Sequence, residues 1–316
     1  MIPSTYLVIV DMTIAFISHS DCARHEMGPA HPEAPSRLTA VTDRLVAAGL
    51  EMVLRHYEAP LATREQLLRV HDPAYVDEIW RRSPEEGMVW LDPDTAMNPY
   101  TLHAALRAAG AVVLGVDLVM GSEQTCAFCN VRPPGHHATR SMSMGFCLFN
   151  NVAVGAAHAL AAHGLDRVAI VDFDVHHGNG TEDIFRAEPR VLFCSTFQHP
   201  YYPYSGADTK SDHIVNVPLP AGCKGPEFRR AVEEHWLPAL DSFRPELILV
   251  SAGFDAHAED DLAQLMLKEA DYTWITTEIK GVAARWAEGR IVSTLEGGYN
   301  LSALGRSASA HISALL

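Results

Sequence analysis

The sequence predicts a single α/β domain that is built on a mostly parallel β-sheet with helices on both faces. Short, strongly apolar runs alternate with longer amphipathic runs along the 316 residues. No internal repeat, low-complexity tract or linker rich in proline, glycine and serine divides the chain. Because apolar strands that alternate with helices belong to parallel sheets covered on both faces, this pattern favours one large domain.

Six segments have the length and composition of buried strands, namely residues 13–18, 125–130, 168–174, 191–196, 247–252 and 291–295. Five amphipathic segments are predicted helices, namely residues 38–50, 101–121, 151–163, 227–243 and 269–287. Pro35 near the start and Gly49 near the end favour the first of these helices. Thr63 and Gln66 match a capping box for a further short helix.

Composition excludes some classes of partner. The formal net charge is −15, which argues against direct binding to nucleic-acid backbones, because lysine and arginine carry that binding. The charge fits either a cationic partner or simple solubility. No window approaches the roughly 20 apolar residues that span a membrane, so we expect no membrane association.

The cysteines and the N-terminus indicate a cytoplasmic protein. The six cysteines are scattered through apolar segments, which favours buried, reduced thiols over a disulfide framework. Cys126 and Cys129 form a C-x-x-C, but no second pair follows at zinc-site spacing. Residues 1–11 lack the basic flank and cleavage site of a signal peptide and are interpreted as an N-terminal extension. The number of subunits stays open, and a homo-oligomer is compatible with the sequence.

Polar, ionisable residues follow four of the predicted strands. They lie at 132–137, 172–179, 253–255 and 296–300. The carboxyl ends of parallel strands share one edge of the sheet, and ligands bind at that edge. The sequence therefore predicts that these four motifs form one site.

Asp174, His176 and Asp255 are the predicted metal ligands. Side chains two residues apart on a strand point to the same face, so Asp174 and His176 could contact one cation, with Asp172 on the same face. Asp255 adds a third ligand after the strand at 247–252. Three protein ligands with an open position are typical of catalytic zinc, although Fe(II) and Mn(II) also use such a set.

His136 and His137 are predicted to transfer protons. One imidazole could deprotonate water while the other protonates a leaving group. Each requires an orienting acceptor, for which Asp172 and Asn179 are available. Tyr299 follows two glycines and could donate a hydrogen bond to a developing oxyanion.

Two aromatic residues in loops could form the walls of an apolar channel. These are Phe146, which follows Gly145, and Tyr202, which precedes Pro203. Packing in the core or at the surface is the ordinary alternative for either ring.

Taken together, five motifs carry a family resemblance. They are RPPGHHA at 132–138, GFCLFNN at 145–151, DFDVHHGNGT at 172–181, SAGFD at 251–255 and LEGGYN at 295–300. The set resembles the zinc-dependent histone deacetylase family, which includes bacterial amidohydrolases and acetylpolyamine deacetylases. The resemblance runs from about residue 13 to the C-terminus, with HPEAPSR at 31–37 as an early match.

The resemblance implies the arginase/deacetylase fold, with about eight parallel strands and a deacetylase catalytic domain at residues 12–316. It implies zinc on the three predicted ligands, and Tyr299 polarising an amide carbonyl with the metal. His137 would be the general base, and His136 would give electrostatic support and a proton. Asp172 would orient His136. Asn179 would face His137, and an asparagine at this position looks like the class II branch of the family.

The resemblance also implies the substrate channel. Phe146 and Tyr202, with Gly145, would enclose the methylene chain of the substrate. Leu262, preceded by three acids at 259–261, stands where polyamine-selective relatives carry an acid. Asp92 or Asp94 would bind the substrate backbone. A structural potassium ion would lie near the zinc, at positions corresponding to Asp172, Asp174, His176, Ser195 and Thr196.

The expected substrate is an acylated lysine in a peptide or protein, or a related N-acyl amine, with acetylpolyamine as the alternative. Two other functions stay open. A two-metal ureohydrolase would leave His136, His137 and Tyr299 without a role. A catalytically silent acyl-lysine-binding module would be expected to have lost one of these three side chains.

Overall fold

The computed structural model describes residues 13–316, so the proposed extension at 1–11 lies outside the described residues. The strands are β1 (Ile14–Ser18), β2 (Leu54–Glu58), β3 (Val89–Trp90), β4 (Ala96–Met97), β5 (Cys126–Cys129), β6 (Val168–Asp172), β7 (Val191–Gln198), β8 (Ile214–Leu219), β9 (Leu247–Ala252) and β10 (Ile291–Leu295). The α-helices are α1 (Ser36–Ala47), α2 (Arg64–Leu68), α3 (Pro73–Arg82), α4 (Thr101–Met120), α5 (Asn151–Ala162), α6 (Asn179–Phe185), α7 (Gly225–Ala231), α8 (Leu237–Phe243), α9 (Glu269–Trp286) and α10 (Leu301–Leu315).

Eight of these strands form one parallel sheet in the order β2-β1-β5-β10-β9-β6-β7-β8, while β3 and β4 form a separate hairpin. Successive residues of a central strand face opposite sides. Val168 and Ile170 of β6 pack towards α4 and α5, and Ala169 and Val171 pack towards α9 and α10. A sheet with a hydrophobic core on each face confirms the predicted α/β class and the expected eight strands.

All six predicted strands are present, and two strands of the sheet were missed. The missed strands, β2 and β8, are the two edges. Several of their side chains are exposed or half-buried, so neither strand has the continuous apolar run that marks a central strand. The capping box at Thr63 and Gln66 is confirmed at the start of α2.

The predicted helix at 227–243 is divided. A π-helical turn at Val232–Trp236 separates α7 from α8. Pro238 lies in the first turn of α8 and has no backbone N–H to donate, which removes one α-helical hydrogen bond at this point.

One described helix, α4, is long and apolar enough to cross a membrane by length and composition, so the expectation that no window reaches that length is wrong. Within the fold, 72% of its most apolar window is buried. The helix packs against α5 and the β1, β5 and β10 strands, which is the environment of a core helix.

Candidate active site

The four polar motifs follow four adjacent strands of the sheet, β5, β10, β9 and β6. Because these strands are parallel, their carboxyl ends lie at one edge. The predicted convergence of the motifs is therefore present in the fold.

Asp174 and His176 lie on a loop, and the prediction that they extend a strand is wrong. The β6 strand ends at Asp172. Beyond it, Asp172 Oδ1 accepts the Asp174 N–H at 3.1 Å, and Asp174 Oδ1 accepts the His176 N–H at 2.9 Å. Asp255 Oδ1 accepts the Val175 N–H at 3.0 Å. In this loop, carboxylates accept hydrogen bonds from backbone N–H groups that would otherwise pair with a neighbouring strand, and these bonds fix the loop conformation.

The three predicted ligands lie together. Their ligand atoms all lie within 4.8 Å of one another. His176 Nδ1 lies 3.1 Å from Asp174 Oδ1 and 3.2 Å from Asp255 Oδ2. Apart from this contact with His176, Asp255 Oδ2 is buried without a hydrogen-bond partner, which is costly for a carboxylate oxygen without a cation. Two carboxylates and an imidazole fit zinc or Fe(II).

The electrostatics of this triad favour a cation. Burial, followed by the charge of Asp174, raises the pKa of the Asp255 carboxyl to about 6. Burial would lower the pKa of His176, but its contacts with Asp174 and Asp255 outweigh burial and raise it to about 10. The position between the two carboxylates therefore stabilises positive charge.

The tandem histidines have different partners. His136 Nδ1 lies 2.9 Å from Asp172 Oδ2, and His137 Nδ1 lies 2.8 Å from Asn179 Oδ1. Burial would lower the pKa of His136, but the Asp172 and Asp174 charges raise it to about 10. Burial and the adjacent imidazoles, with His136 first, hold the pKa of His137 well below its ordinary value. His136 therefore favours the protonated, cationic form, and His137 favours the neutral form that can act as a base.

Glu296, between β10 and the glycine pair, supports the histidine loop. Its Oε2 accepts the N–H groups of Gly135 at 2.7 Å and His136 at 3.2 Å, and its Oε1 accepts the Ser251 hydroxyl at 3.2 Å. Burial raises the pKa of Glu296 to about 7. Glu296 had no predicted role, although an acid at the end of an apolar strand is a signal for a functional residue.

A cavity of about 170 Å³ reaches His176 of the triad. It is lined by Asp94, His137, Gly145, Phe146, His176, Tyr201, Tyr202, Leu262 and Tyr299. All four predicted channel residues are thus on its wall. Of the two candidate loop acids, Asp94 lines the cavity, whereas Asp92 Oδ1 accepts the backbone N–H groups of residues 94 and 95.

Aromatic rings give the cavity its shape. Phe146 packs edge-to-face on Tyr299 at 5.9 Å between ring centroids, and Tyr202 packs on His137 at 5.3 Å. Tyr201 stacks on His176 at 5.7 Å. Tyr201 was not among the predicted channel residues, although the run YYPY at 201–204, which follows a predicted strand, indicates an aromatic loop. Burial raises the pKa of Tyr299 well above its ordinary value, so the phenol keeps its proton.

Gly145 allows the cavity wall to approach the tandem histidines. Its φ is +56°, which favours glycine, and a Cβ there would lie 2.4 Å from His137 Cδ2. The predicted potassium positions are also adjacent, since Ser195 on β7 pairs with Asp172 on β6. Ser195 Oγ is buried without a hydrogen-bond partner, which fits an oxygen ligand of a cation.

A second His/Asp cluster lies away from this edge, where His158 and His163 both direct Nε2 at Asp117 Oδ1, at 2.8 and 2.7 Å. Arg69 Nη1 lies 2.9 Å from His158 Nδ1. Because a guanidinium only donates, His158 Nδ1 must accept, and Nε2 carries the proton shared with Asp117. A hydrogen therefore occupies that ligand atom.

Comparison with known proteins shows the family of this chain. The model of the histone deacetylase domain matches residues 31–315. The chain belongs to the histone deacetylase family. It is 40% identical to an uncharacterised protein of Synechocystis (93% of this chain, 96% of the relative) and 39% identical to a histone deacetylase-like amidohydrolase of Pseudomonas aeruginosa (85% and 73%). It is 35% identical to the human polyamine deacetylase HDAC10 (96% and 48%).

A solved structure shows the same fold. The crystal structure of the HDA15 HD domain superposes with a TM-score of 0.90 at 33% identity, covering 96% of this chain and 88% of that chain. The family and fold make this chain a deacetylase or amidohydrolase of the hydrolase class.

Proposed function

We propose that this protein is a zinc-dependent deacylase that removes an acetyl or other acyl group from a lysine side chain or a related N-acyl amine. The observation that carries the proposal is the cluster of Asp174, His176 and Asp255, of which His176 lines an aromatic cavity and Asp255 Oδ2 has no hydrogen-bond donor. These three residues would hold the metal, with Fe(II) as an alternative. Zinc would supply Lewis acidity, which polarises a carbonyl and acidifies water.

The chain's own groups would handle the protons. His137 donates from Nδ1 to Asn179 Oδ1, so its Nε2 is free to take a proton from the attacking water. His136, held by Asp172, would stabilise the developing negative charge and protonate the leaving amine. Tyr299 keeps its phenolic proton and would donate a hydrogen bond to the acyl oxygen as charge develops there.

The cavity wall favours an acyl-lysine substrate. Leu262 lines the cavity, and the three acids before it are not among the lining residues. Glu259 pairs with Arg306 at 2.8 Å, and Asp260 accepts backbone N–H groups. Phe146 and Tyr202 provide apolar ring surface for a methylene chain.

Acetylpolyamine is the second candidate substrate, supported by two observations. Asp94 places a carboxylate on the cavity wall, where it would accept a hydrogen bond from an ammonium group. A relative that is 35% identical, in an alignment covering 96% of this chain, is named a polyamine deacetylase.

The test measures divalent metal per chain and hydrolysis of an acetyl-lysine peptide and N8-acetylspermidine. We expect one catalytic metal per chain and a higher kcat/KM on the peptide. The Tyr299→Phe variant should lose about 100- to 1,000-fold in kcat, the usual effect of removing an oxyanion donor. Tyr204→Phe, on a ring that is 74% exposed, is the matched control and should keep wild-type turnover. Unimpaired hydrolysis by Tyr299→Phe or His137→Ala would contradict the mechanism.

The potassium site is a separate part of the proposal. It would use oxygen atoms at the positions named above, and the unpartnered Ser195 Oγ supports it. We expect K⁺ to raise the unfolding temperature more than choline does at equal ionic strength, and Ser195→Ala to reduce that difference. An equal rise in unfolding temperature with both salts would refute the proposed potassium site, and the proposed hydrolase function would be unaffected.

A further inference from the structure

The peptide bond before Tyr299 is held at both ends. Its carbonyl, on Gly298, accepts a hydrogen bond from Arg37 Nε at 2.7 Å. Its N–H, on Tyr299, donates to Asp260 Oδ2 at 2.6 Å. Gly298 has a φ of +123°, a conformation that favours glycine. A guanidinium and a carboxylate therefore fix the orientation of the peptide that carries the phenol.

The same carboxylate holds the cavity wall. Asp260 Oδ1 accepts the Leu262 N–H at 3.1 Å, and Oδ2 also accepts the Asn300 N–H at 2.9 Å. The Leu262 carbonyl accepts a hydrogen bond from the Tyr201 hydroxyl. Asp260 is 5% exposed, so its carboxylate is largely shielded from water and depends on these three N–H groups for its hydrogen bonds. One buried carboxylate thus joins the Tyr299 loop to the Leu262 wall.

We propose that Asp260 is a positioning residue that sets both the placement of Tyr299 and the substrate selectivity at Leu262. This inference rests on the proposed deacylase function. The neighbouring Glu259 makes a useful contrast, because its 2.8 Å pair with Arg306 is at the surface and contacts neither loop.

The Asp260→Asn variant keeps the size of the side chain and weakens the clamp. An amide has a single acceptor oxygen, and its NH2 group can only donate, so at least one of the three N–H groups loses its partner. Losing a hydrogen bond to a charged acceptor at the site of chemistry corresponds to about a 10- to 100-fold lower kcat. The peptide-to-polyamine ratio of kcat/KM should change by about threefold or more, because one neutral amide oxygen cannot hold the Leu262 and Tyr299 N–H groups together and holds either one more weakly than a carboxylate does.

The experiment measures kcat and KM of Asp260→Asn on an acetyl-lysine peptide and on N8-acetylspermidine, with metal content and unfolding temperature alongside. Glu259→Gln is the control and should match the wild type on both substrates. In a Tyr299→Phe background, Asp260→Asn should lower kcat little further but still change the substrate ratio, because its effect on turnover acts through the phenol.

Wild-type kcat in Asp260→Asn, or an equal loss in both backgrounds, would overturn the proposal. If this variant does not fold, Tyr201→Phe releases Leu262 from its other side. That change should alter the substrate ratio by about threefold, and an unchanged ratio would likewise overturn the proposal. A wild-type protein that hydrolyses neither substrate would refute the proposed function, which is a different outcome.

Discussion

Gly297 is the position where one added methyl group should remove the metal site. Its N–H donates to Asp174 Oδ2 at 2.8 Å. A Cβ at this position would lie 2.0 Å from Asp255 Oδ2 and 2.6 Å from Asp174 Oδ2, where real Cβ atoms essentially never come within 3.0 Å. The nearer carboxylate must therefore move by about 1 Å, because the packed loop offers no space.

A displacement of that size exceeds what metal coordination tolerates. Ligand distances in metal sites hold to within about 0.2 Å, and two of the three candidate ligands would move in Gly297→Ala. We expect loss of most bound metal and a fall in kcat/KM of about 100-fold or more. The assay is metal per chain after dialysis, together with turnover on an acetyl-lysine peptide and the rise in unfolding temperature on adding zinc.

Gly281→Ala is the matched control. Gly281 lies in α9, and a Cβ there would meet only Arg285 Nη1, at an ordinary 3.5 Å. This variant should keep its metal and gain about 0.5–1 kcal/mol of stability, because alanine is the better helix former. Full metal content and wild-type turnover in Gly297→Ala would refute the reasoning.

Three further predictions concern the interior. Glu33 is fully buried against Arg132, Arg37 and His25. Glu33→Gln should therefore lower the free energy of unfolding, measured by urea titration, by about 3–5 kcal/mol. A loss below about 1 kcal/mol would contradict this prediction. Burial lowers the pKa of His311 to about 3, so it binds a proton on unfolding, and its contribution to stability, complete above pH 6.5, is lost as the pH falls towards 3. His311→Gln should reduce that slope by up to about 1.4 kcal/mol per pH unit, and an unchanged slope would contradict the assignment. All six cysteines are free and buried, so a thiol reagent should label none in the folded protein and all six in urea; rapid labelling of the native protein would argue against this burial.

The local parts of the structure were readable from the sequence. The six apolar runs became strands because central strands are buried on both faces, and β9 and β10 have the predicted bounds. The β2 and β8 edges were missed because half-exposed strands lack that pattern. The helix over 227–243 was predicted as continuous because the amphipathic pattern extends across Pro238.

The residue types of the candidate site and their position after four strands also followed from the sequence alone. The hydrogen bonds that hold the site together could not be predicted, because they join residues far apart in the chain. Val175 binds Asp255 across 80 positions, Tyr299 binds Asp260 across 39, and Gly298 binds Arg37 across 261. Only the tertiary structure showed that Asp94, and not Asp92, lines the cavity.

The sequence by itself determined the α/β class, the family and the group of candidate ligands, because periodicity and motif spacing are properties of neighbouring residues. Only the tertiary structure decided that Asp174 and His176 lie on a loop, which wall Leu262 occupies, and which acid clamps Tyr299. The order of strands brings these groups together, and that order depends on long-range packing that no local pattern encodes.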